Sequence, residues 1–137
     1  DVYKRQSHCP VLLAHNAGDD VHLLDEPSTA IGIHAGTRPV ISELPIEPDL
    51  HVVVFTDGVL SAGVRYGEKL DVVDFVRCQL QDCPDSARAH YLADALLARA
   101  VELDRGRPGD DVTVVVTSVV ARRQPDDVRR LSVRLPI

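Results

Sequence analysis

The most regular hydrophobic run of the chain is His51-Val52-Val53-Val54-Phe55, which Thr56-Asp57-Gly58 follows. Four consecutive apolar residues, three of them β-branched, predict a strand that is buried on both faces. An Asp-Gly pair directly after such a run indicates the end of the strand and a turn. Asp57 is therefore expected at the mouth of a core strand, where its carboxylate either caps the turn or takes part in chemistry.

The segments before this run predict further strands. Short apolar runs at 11–14 and 21–24 flank a turn-forming cluster and predict a β-hairpin. A short strand or bend is expected at 31–33. The segment 38–47 is half apolar and half polar, which predicts a strand with one wet face. The first part of the chain is thus expected to be a meander of antiparallel strands.

The period of the pattern changes in the second half of the chain. A loop of small residues is expected at 59–67, and apolar positions then follow helical spacing over 70–80 and 86–104. These segments predict two antiparallel amphipathic helices that cover one face of a sheet, with Gly106 and Pro108 ending the second. Strands are expected at 111–120 and, with an alternating pattern, at 131–137. This order of elements predicts an α+β fold.

Composition narrows the classes of function. The net charge is −6 and there is no long basic run, which argues against nucleic acid and anionic membranes as partners. No apolar stretch approaches the roughly 20 residues of a membrane span, no signal peptide is visible, and three cysteines form no disulfide framework. These features predict a cytoplasmic protein with reduced thiols. Because the chain contains no Met, residues 1–7 are expected to be a non-native or truncated lead-in.

A second acidic motif, Gly109-Asp110-Asp111-Val112-Thr113, opens the apolar run of the 111–120 strand. An acidic residue at the end of one core strand and an acidic pair at the start of another could converge on one cation. Hard cations such as Mg²⁺ and Mn²⁺ prefer oxygen ligands of this kind.

The two acidic motifs, in this order and separated by a helix pair, resemble the metal-dependent protein phosphatases of type 2C, and within them the bacterial SpoIIE-like branch. His8–Leu13 resembles the strand that follows an Ala-Gly-His in that branch, and Ile31–Ile33 resembles its Leu-Gly segment. The resemblance extends from about residue 8 to residue 120. It implies an antiparallel β-sandwich flanked by helix pairs.

The resemblance also implies a site and a reaction. Asp57 and Asp110 would be ligands of two Mn²⁺ or Mg²⁺ ions, Asp111 would support them, and Thr113 would orient the strand end. A hydroxide that bridges the two ions would attack phosphoserine or phosphothreonine in line, with no covalent enzyme intermediate. The implied substrate is a phosphorylated regulatory protein, such as one of the anti-anti-sigma type.

One family segment has no counterpart here. The family carries a Gly-Asp-x-x-Gly-His-Gly type segment whose Asp bridges both metals, and Ser7 stands where the family has Gly before His8. Residues 8–137 are therefore expected to be the C-terminal part of one phosphatase-like domain. The alternative is a catalytically inactive interaction module, in which the strand at 131–137 pairs with another chain. The oligomeric state stays open.

Overall fold

A computed structural model describes residues 9–26, 35–36, 42–82 and 88–121. Within them the chain forms four strands, three α-helices and two short 3-10 helices, so the predicted α+β class is confirmed. The strands are β1 (Val11–His15), β2 (Asp20–Leu24), β3 (His51–Phe55) and β4 (Val114–Ser118). The helices are α1 (Asp57–Ser61), α2 (Val72–Gln81) and α3 (Arg88–Leu103), with 3-10 turns at Asn16–Gly18 and Val64–Tyr66.

The strands form one antiparallel sheet in the order β2-β1-β3-β4. β1 and β2 are the predicted hairpin, joined through the first 3-10 turn. The strand with the most regular apolar run, β3, lies between β1 and β4, so that Val53 pairs with Leu12 on one side and Val116 on the other. The strand at 51–55 and its interior position are therefore confirmed.

The two faces of β3 are covered unequally. His51, Val53 and Phe55 point to one face and are buried, whereas Val52 and Val54 on the other face are only half-buried. On that second face the neighbouring strand contributes Val115, which is 54% exposed. The prediction that both faces of this strand are buried is thus wrong for the second face, which is an apolar surface that the described residues cover incompletely.

α2 and α3 form the predicted helix pair and cover the first face of the sheet. α2 packs on β1 and β2, while α3 packs on β4 and on α2. The side chain of Asp71 caps α2 by accepting the backbone N–H of Asp74 at 3.0 Å. Buried residues recur along α3 at helical spacing and join the strands in one core: Leu92, Leu96, Ala100 and Leu103.

α3 ends close to the predicted stop. The backbone N–H of Gly106 donates to the carbonyl of Val101 at 2.8 Å, and both Arg105 and Gly106 have positive φ, which is a left-handed helix end. The chain then returns through 107–113 to the sheet. No described helix is long and apolar enough to cross a membrane.

Two predicted segments differ from the structure. The expected loop at 59–67 contains α1 and the second 3-10 turn, because Val59 and Ala62 are fully buried and fix a helix too short to show a period. Residues 42–47 form no strand and are all exposed. Pro45 among them has no backbone N–H to donate to a neighbouring strand.

The last described strand is shorter than expected, since β4 begins at Val114 rather than at residue 111. Before it, Asp111 and Thr113 bond to the backbone and the side chain of Thr56, as described below. The predicted elements at 31–33 and 131–137, and the start of the one at 38–47, lie outside the described residues.

Candidate functional site

Thr56 joins the end of β3 to the segment that leads into β4. Its backbone N–H donates to the carbonyl of Thr113 at 3.1 Å, and its hydroxyl donates to the carbonyl of Asp111 at 2.7 Å. The same hydroxyl accepts the backbone N–H of Thr113 at 2.9 Å. Three hydrogen bonds from one residue therefore hold the two acidic motifs side by side. Thr113 contributes to this contact through its backbone.

Gly58 lets the two motifs approach each other. A Cβ atom at this position would lie 2.4 Å from the carbonyl oxygen of Asp111 and 3.0 Å from its carbonyl carbon. No side chain fits there without a shift of backbone, so the glycine of the Asp-Gly pair serves a close approach between two chain segments. The structure thus brings the segments of Asp57 and of Asp110 and Asp111 to one end of the sheet.

The three acidic side chains at this end are exposed. One oxygen of Asp110 accepts the backbone N–H of Asp111 at 2.8 Å. Asp57 is the first residue of α1, and its carboxylate makes no hydrogen bond or ion pair with any described residue. The alternative in which Asp57 only caps the turn therefore has no side-chain bond to support it.

The start of β1 reaches the same end of the sheet. Val11 pairs with Val54, so Cys9, two residues earlier, lies beside the residues that follow β3. Burial raises the pKa of the Cys9 thiol, and the negative charge of Asp57 raises it further. This electrostatic contact indicates that Asp57 has a partly buried neighbour on the β1 side.

An open cleft of about 590 Å³ lies on the other side of the acidic pair, against α3. Its lining contains Asp110 and Asp111 but leaves out Asp57. The remaining lining residues are apolar or lack a charge: Leu97, Val101, Pro108, Gly109 and Val112. A ligand in this cleft would contact the acidic pair along one edge.

The donor chemistry of this end fits a hard divalent cation, because exposed carboxylates are the ligands that Mg²⁺ and Mn²⁺ prefer. The ligand shell is incomplete within the described residues, where no group of three or more His, Cys, Asp or Glu side chains could hold a metal ion. Asp57 and Asp110 therefore form two sides of a candidate site.

A second polar cluster, which the sequence did not reveal, lies at the opposite end of β3. His51 is 2% exposed, and its Nδ1 lies 2.6 Å from the hydroxyl of Ser118. Its Nε2 lies 3.4 Å from Asp49, a contact that is electrostatic rather than a well-formed hydrogen bond. Asp49 also accepts the backbone N–H of Ala17 at 2.8 Å and pairs with Arg88.

The pKa values in this cluster reflect its burial and its charges. Burial lowers the pKa of His51. The negative charge of Asp49 raises it, and the positive charge of Arg88 lowers it further. For Asp49, burial alone would raise the pKa, but the Ala17 N–H, Arg88 and His51 together lower it. The one sequence signal for the cluster is a histidine on the same face of β3 as Val53 and Phe55.

Comparisons with known proteins identify the family and the fold. Residues 2–120 match the family model described as stage II sporulation protein E (SpoIIE). A search of curated proteins gave no match. Among solved structures, the phosphatase domain of the cell fate determinant SpoIIE from Bacillus subtilis superposes with a TM-score of 0.58 at 18% identity, over 88% of this chain and 51% of that one.

Two further structures of the same Bacillus subtilis protein are similar. The PP2C phosphatase domain with a fragment of the regulatory domain gives a TM-score of 0.61 at 20% identity, over 81% of this chain and 31% of that one. A Mn-presoaked form of the phosphatase domain gives a TM-score of 0.55 at 16% identity, over 93% of this chain and 54% of that one. The chain thus spans about half of the solved phosphatase-domain chains. Because the family model covers most of its length, this chain belongs to the SpoIIE family of PP2C-type phosphatase domains.

Proposed function

We propose that this chain contributes to the removal of phosphate from phosphoserine or phosphothreonine on a regulatory protein, with Asp57 and Asp110 as ligands of Mn²⁺ or Mg²⁺. The observation that carries the proposal is the set of three Thr56 hydrogen bonds that hold the two acidic motifs together. Two such cations, when bound, lower the pKa of water and neutralise phosphate oxygens. A phosphorylated protein of the anti-anti-sigma type is the substrate class that the family resemblance implies.

The chain's own residues would act by orientation and charge. Asp57 offers a carboxylate that is free of bonds to described residues and stands directly after a rigid core strand. Asp110 uses one oxygen to accept the N–H of Asp111, which fixes its side chain and leaves the second oxygen for a cation. Thr56 holds both groups at a constant separation, and Asp111 supports Asp110 through its backbone.

The rest of the ligand set would come from a second sheet. The incompletely covered face of the present sheet is apolar, with half-buried Val52 and Val54 and an exposed Val115. The chain also spans only about half of the solved phosphatase-domain chains. Both observations support a β-sandwich in which another sheet packs on this face and brings further ligands to the acidic end.

The proposal is tested by Mn²⁺ binding and by hydrolysis of p-nitrophenyl phosphate with added Mn²⁺. We expect Asp57→Ala and Asp110→Ala each to abolish both. Asp94→Ala is the matched control, because Asp94 is an exposed acid on α3 that contacts only His90 among the described residues. Retention of Mn²⁺ affinity in both site variants would overturn the assignment of the ligands.

The second candidate function is an inactive interaction module. It is favoured by the lack of a three-ligand group among the described residues. Hydrolysis measured on this chain, and on the chain joined to a complete N-terminal half of the domain, separates the two functions. Turnover in either form supports the phosphatase, whereas Mn²⁺ binding without turnover in both supports the module.

A further inference from the structure

A small, hydrogen-bonded loop carries an arginine, Arg65, beside the acidic end of the sheet. The second 3-10 turn, Val64–Tyr66, begins after Gly63, whose backbone N–H donates to Asp104 at 3.0 Å. Asp104 is 6% exposed, so this bond is sheltered from water. A Cβ atom on Gly63 would lie 1.9 Å from the carbonyl oxygen of Glu68, which shows how tightly the loop closes. The backbone of the loop is therefore anchored to Asp104, next to the end of α3.

Two further contacts join this loop to the segment that leads to Asp110. The guanidinium of Arg105 lies over the ring of Tyr66, 4.2 Å from its centroid. The Nη2 atom of Arg65 lies 2.8 Å from the point that a Cβ on Gly109 would occupy. Because Gly109 directly precedes Asp110, the Arg65 guanidinium stands beside the backbone that presents the proposed metal ligand.

Arg65 differs from the paired arginines of the helices. Arg77 and Arg99 each form an ion pair with an acid on their own helix. Arg65 is exposed and forms no ion pair with any carboxylate of the described residues. A guanidinium without a carboxylate partner in the described part of the chain, beside the residue that precedes Asp110, is suited to an anion that approaches the same site. Its planar fork matches the oxygens of a phosphate group.

We propose that Arg65 is a phosphate-binding residue of this site, which donates hydrogen bonds to non-bridging oxygens of the substrate phosphate. The inference rests on the proposed function, since the phosphate would be held between Arg65 and cations on Asp57 and Asp110. It assigns to the loop after α1 a role in substrate binding, separate from the binding of metal.

The test measures two affinities by calorimetry, that of Mn²⁺ and that of inorganic phosphate at saturating Mn²⁺. We expect Arg65→Ala to leave the Mn²⁺ affinity within about twofold of the unmodified chain and to weaken phosphate binding about tenfold or more, as the loss of a charge-assisted bond does. The phosphate affinity of Arg65→Lys should lie between those of the unmodified chain and Arg65→Ala, because lysine keeps the positive charge but lacks the planar fork of the guanidinium. Arg99→Ala is the control, at a half-buried arginine on α3 that pairs with Glu102, and should change neither affinity.

Each other result overturns a defined part of the argument. Equal phosphate affinity in the unmodified chain and in Arg65→Ala, with Mn²⁺ bound in both, overturns this inference and leaves the proposed function intact. Loss of Mn²⁺ affinity in Arg65→Ala means that the residue only shapes the loop, which also overturns the inference. Absence of Mn²⁺ binding both in the unmodified chain and in the chain joined to a complete N-terminal half of the domain overturns the proposed function and this inference with it.

Discussion

The two ends of β3 carry polar clusters of opposite character. At its start, the buried His51 contacts Ser118 and Asp49, and Asp49 in turn pairs with Arg88. At its end, the carboxylates around Asp57 are exposed and mostly without bonds to described residues. The first cluster links β3 to β4 and to α3 through contacts among its own residues, although Nε2 of His51 makes no hydrogen bond to a described residue. The second leaves charge unsatisfied, which is the arrangement expected where a ligand supplies the missing partners.

One helix connects the two clusters. α3 begins at Arg88, which pairs with Asp49, and ends at Leu103, directly before the turn that returns to Asp110. Asp49 itself has φ of 73°, in the left-handed region that is unfavourable for most residues other than glycine. Its bonds to Ala17 and Arg88 stabilise this conformation. The buried cluster therefore fixes the frame on which the acidic end is displayed.

The strongest test of this difference is Asp49→Ala. The change removes one ion-pair partner of Arg88, leaves the Ala17 N–H without its acceptor and puts alanine at a positive φ. We expect the free energy of unfolding in urea to fall by about 2–3 kcal/mol, somewhat below the cost of breaking a fully buried pair because Asp49 is partly exposed.

Asp49→Asn separates charge from conformation. Asparagine tolerates a positive φ and can still accept the Ala17 N–H, so we expect a smaller loss than for alanine. Asp94→Ala serves as the control for an exposed acid, and should change the free energy of unfolding by less than about 0.5 kcal/mol. A similarly small change in Asp49→Ala would show that the cluster does not hold the frame.

A weaker effect is expected from pH, and it should come from His51. The folded pKa of His51 lies below its ordinary value of 6.5, so the unfolded chain takes up a proton first as the pH falls. Stability present above pH 6.5 is therefore lost progressively below it. Its neighbours among the described residues are Asp49, Arg88 and His15, and Asp49, with a pKa lowered from 3.8, adds a further loss only below that value.

The measurement is the free energy of unfolding in urea at several pH values between 7.5 and 5. We expect His51→Gln to show a smaller decrease with acidity than the unmodified chain, whatever its stability at neutral pH. His90→Gln, at an exposed position on α3, should keep the full decrease. An unchanged decrease in His51→Gln would assign the acid sensitivity to other groups.

The two ends of β3 also differ in how much of their structure could be predicted from the sequence. β3 could be predicted from its unbroken run of mostly β-branched apolar residues, and the two long helices from apolar periods that extend over 10 and 16 residues. Asp57 and Asp110 could be singled out because each borders an apolar run. The role of Thr56 could not be predicted, since its hydroxyl bonds to Asp111, 55 positions away. α1 was missed because five residues are too few to show a period.

The contacts of the buried cluster were even harder to predict from the sequence. His51 and Ser118 are 67 positions apart, and Arg88 and Asp49 are 39 apart. Each of these residues alone is an ordinary turn, strand or helix residue. Only the pairing of β3 with β4 and the position of α3 bring them together. Tertiary structure therefore creates the stabilising end of β3, whereas local sequence already indicates the acidic end.

The smallest predicted effect is that of Asp57→Asn on stability without added metal. The Asp57 carboxylate makes no bond to a described residue that the variant could lose. Its position in the first turn of α1 favours negative charge by about 0.3–1 kcal/mol, whereas repulsion from the neighbouring acidic motif acts against it by a similar amount. The two effects should nearly cancel, so the free energy of unfolding in urea with a chelator should change by less than about 0.5 kcal/mol. A loss as large as that of Asp49→Ala would mean that both ends of β3 stabilise the fold, and that the acidic end is not reserved for a ligand.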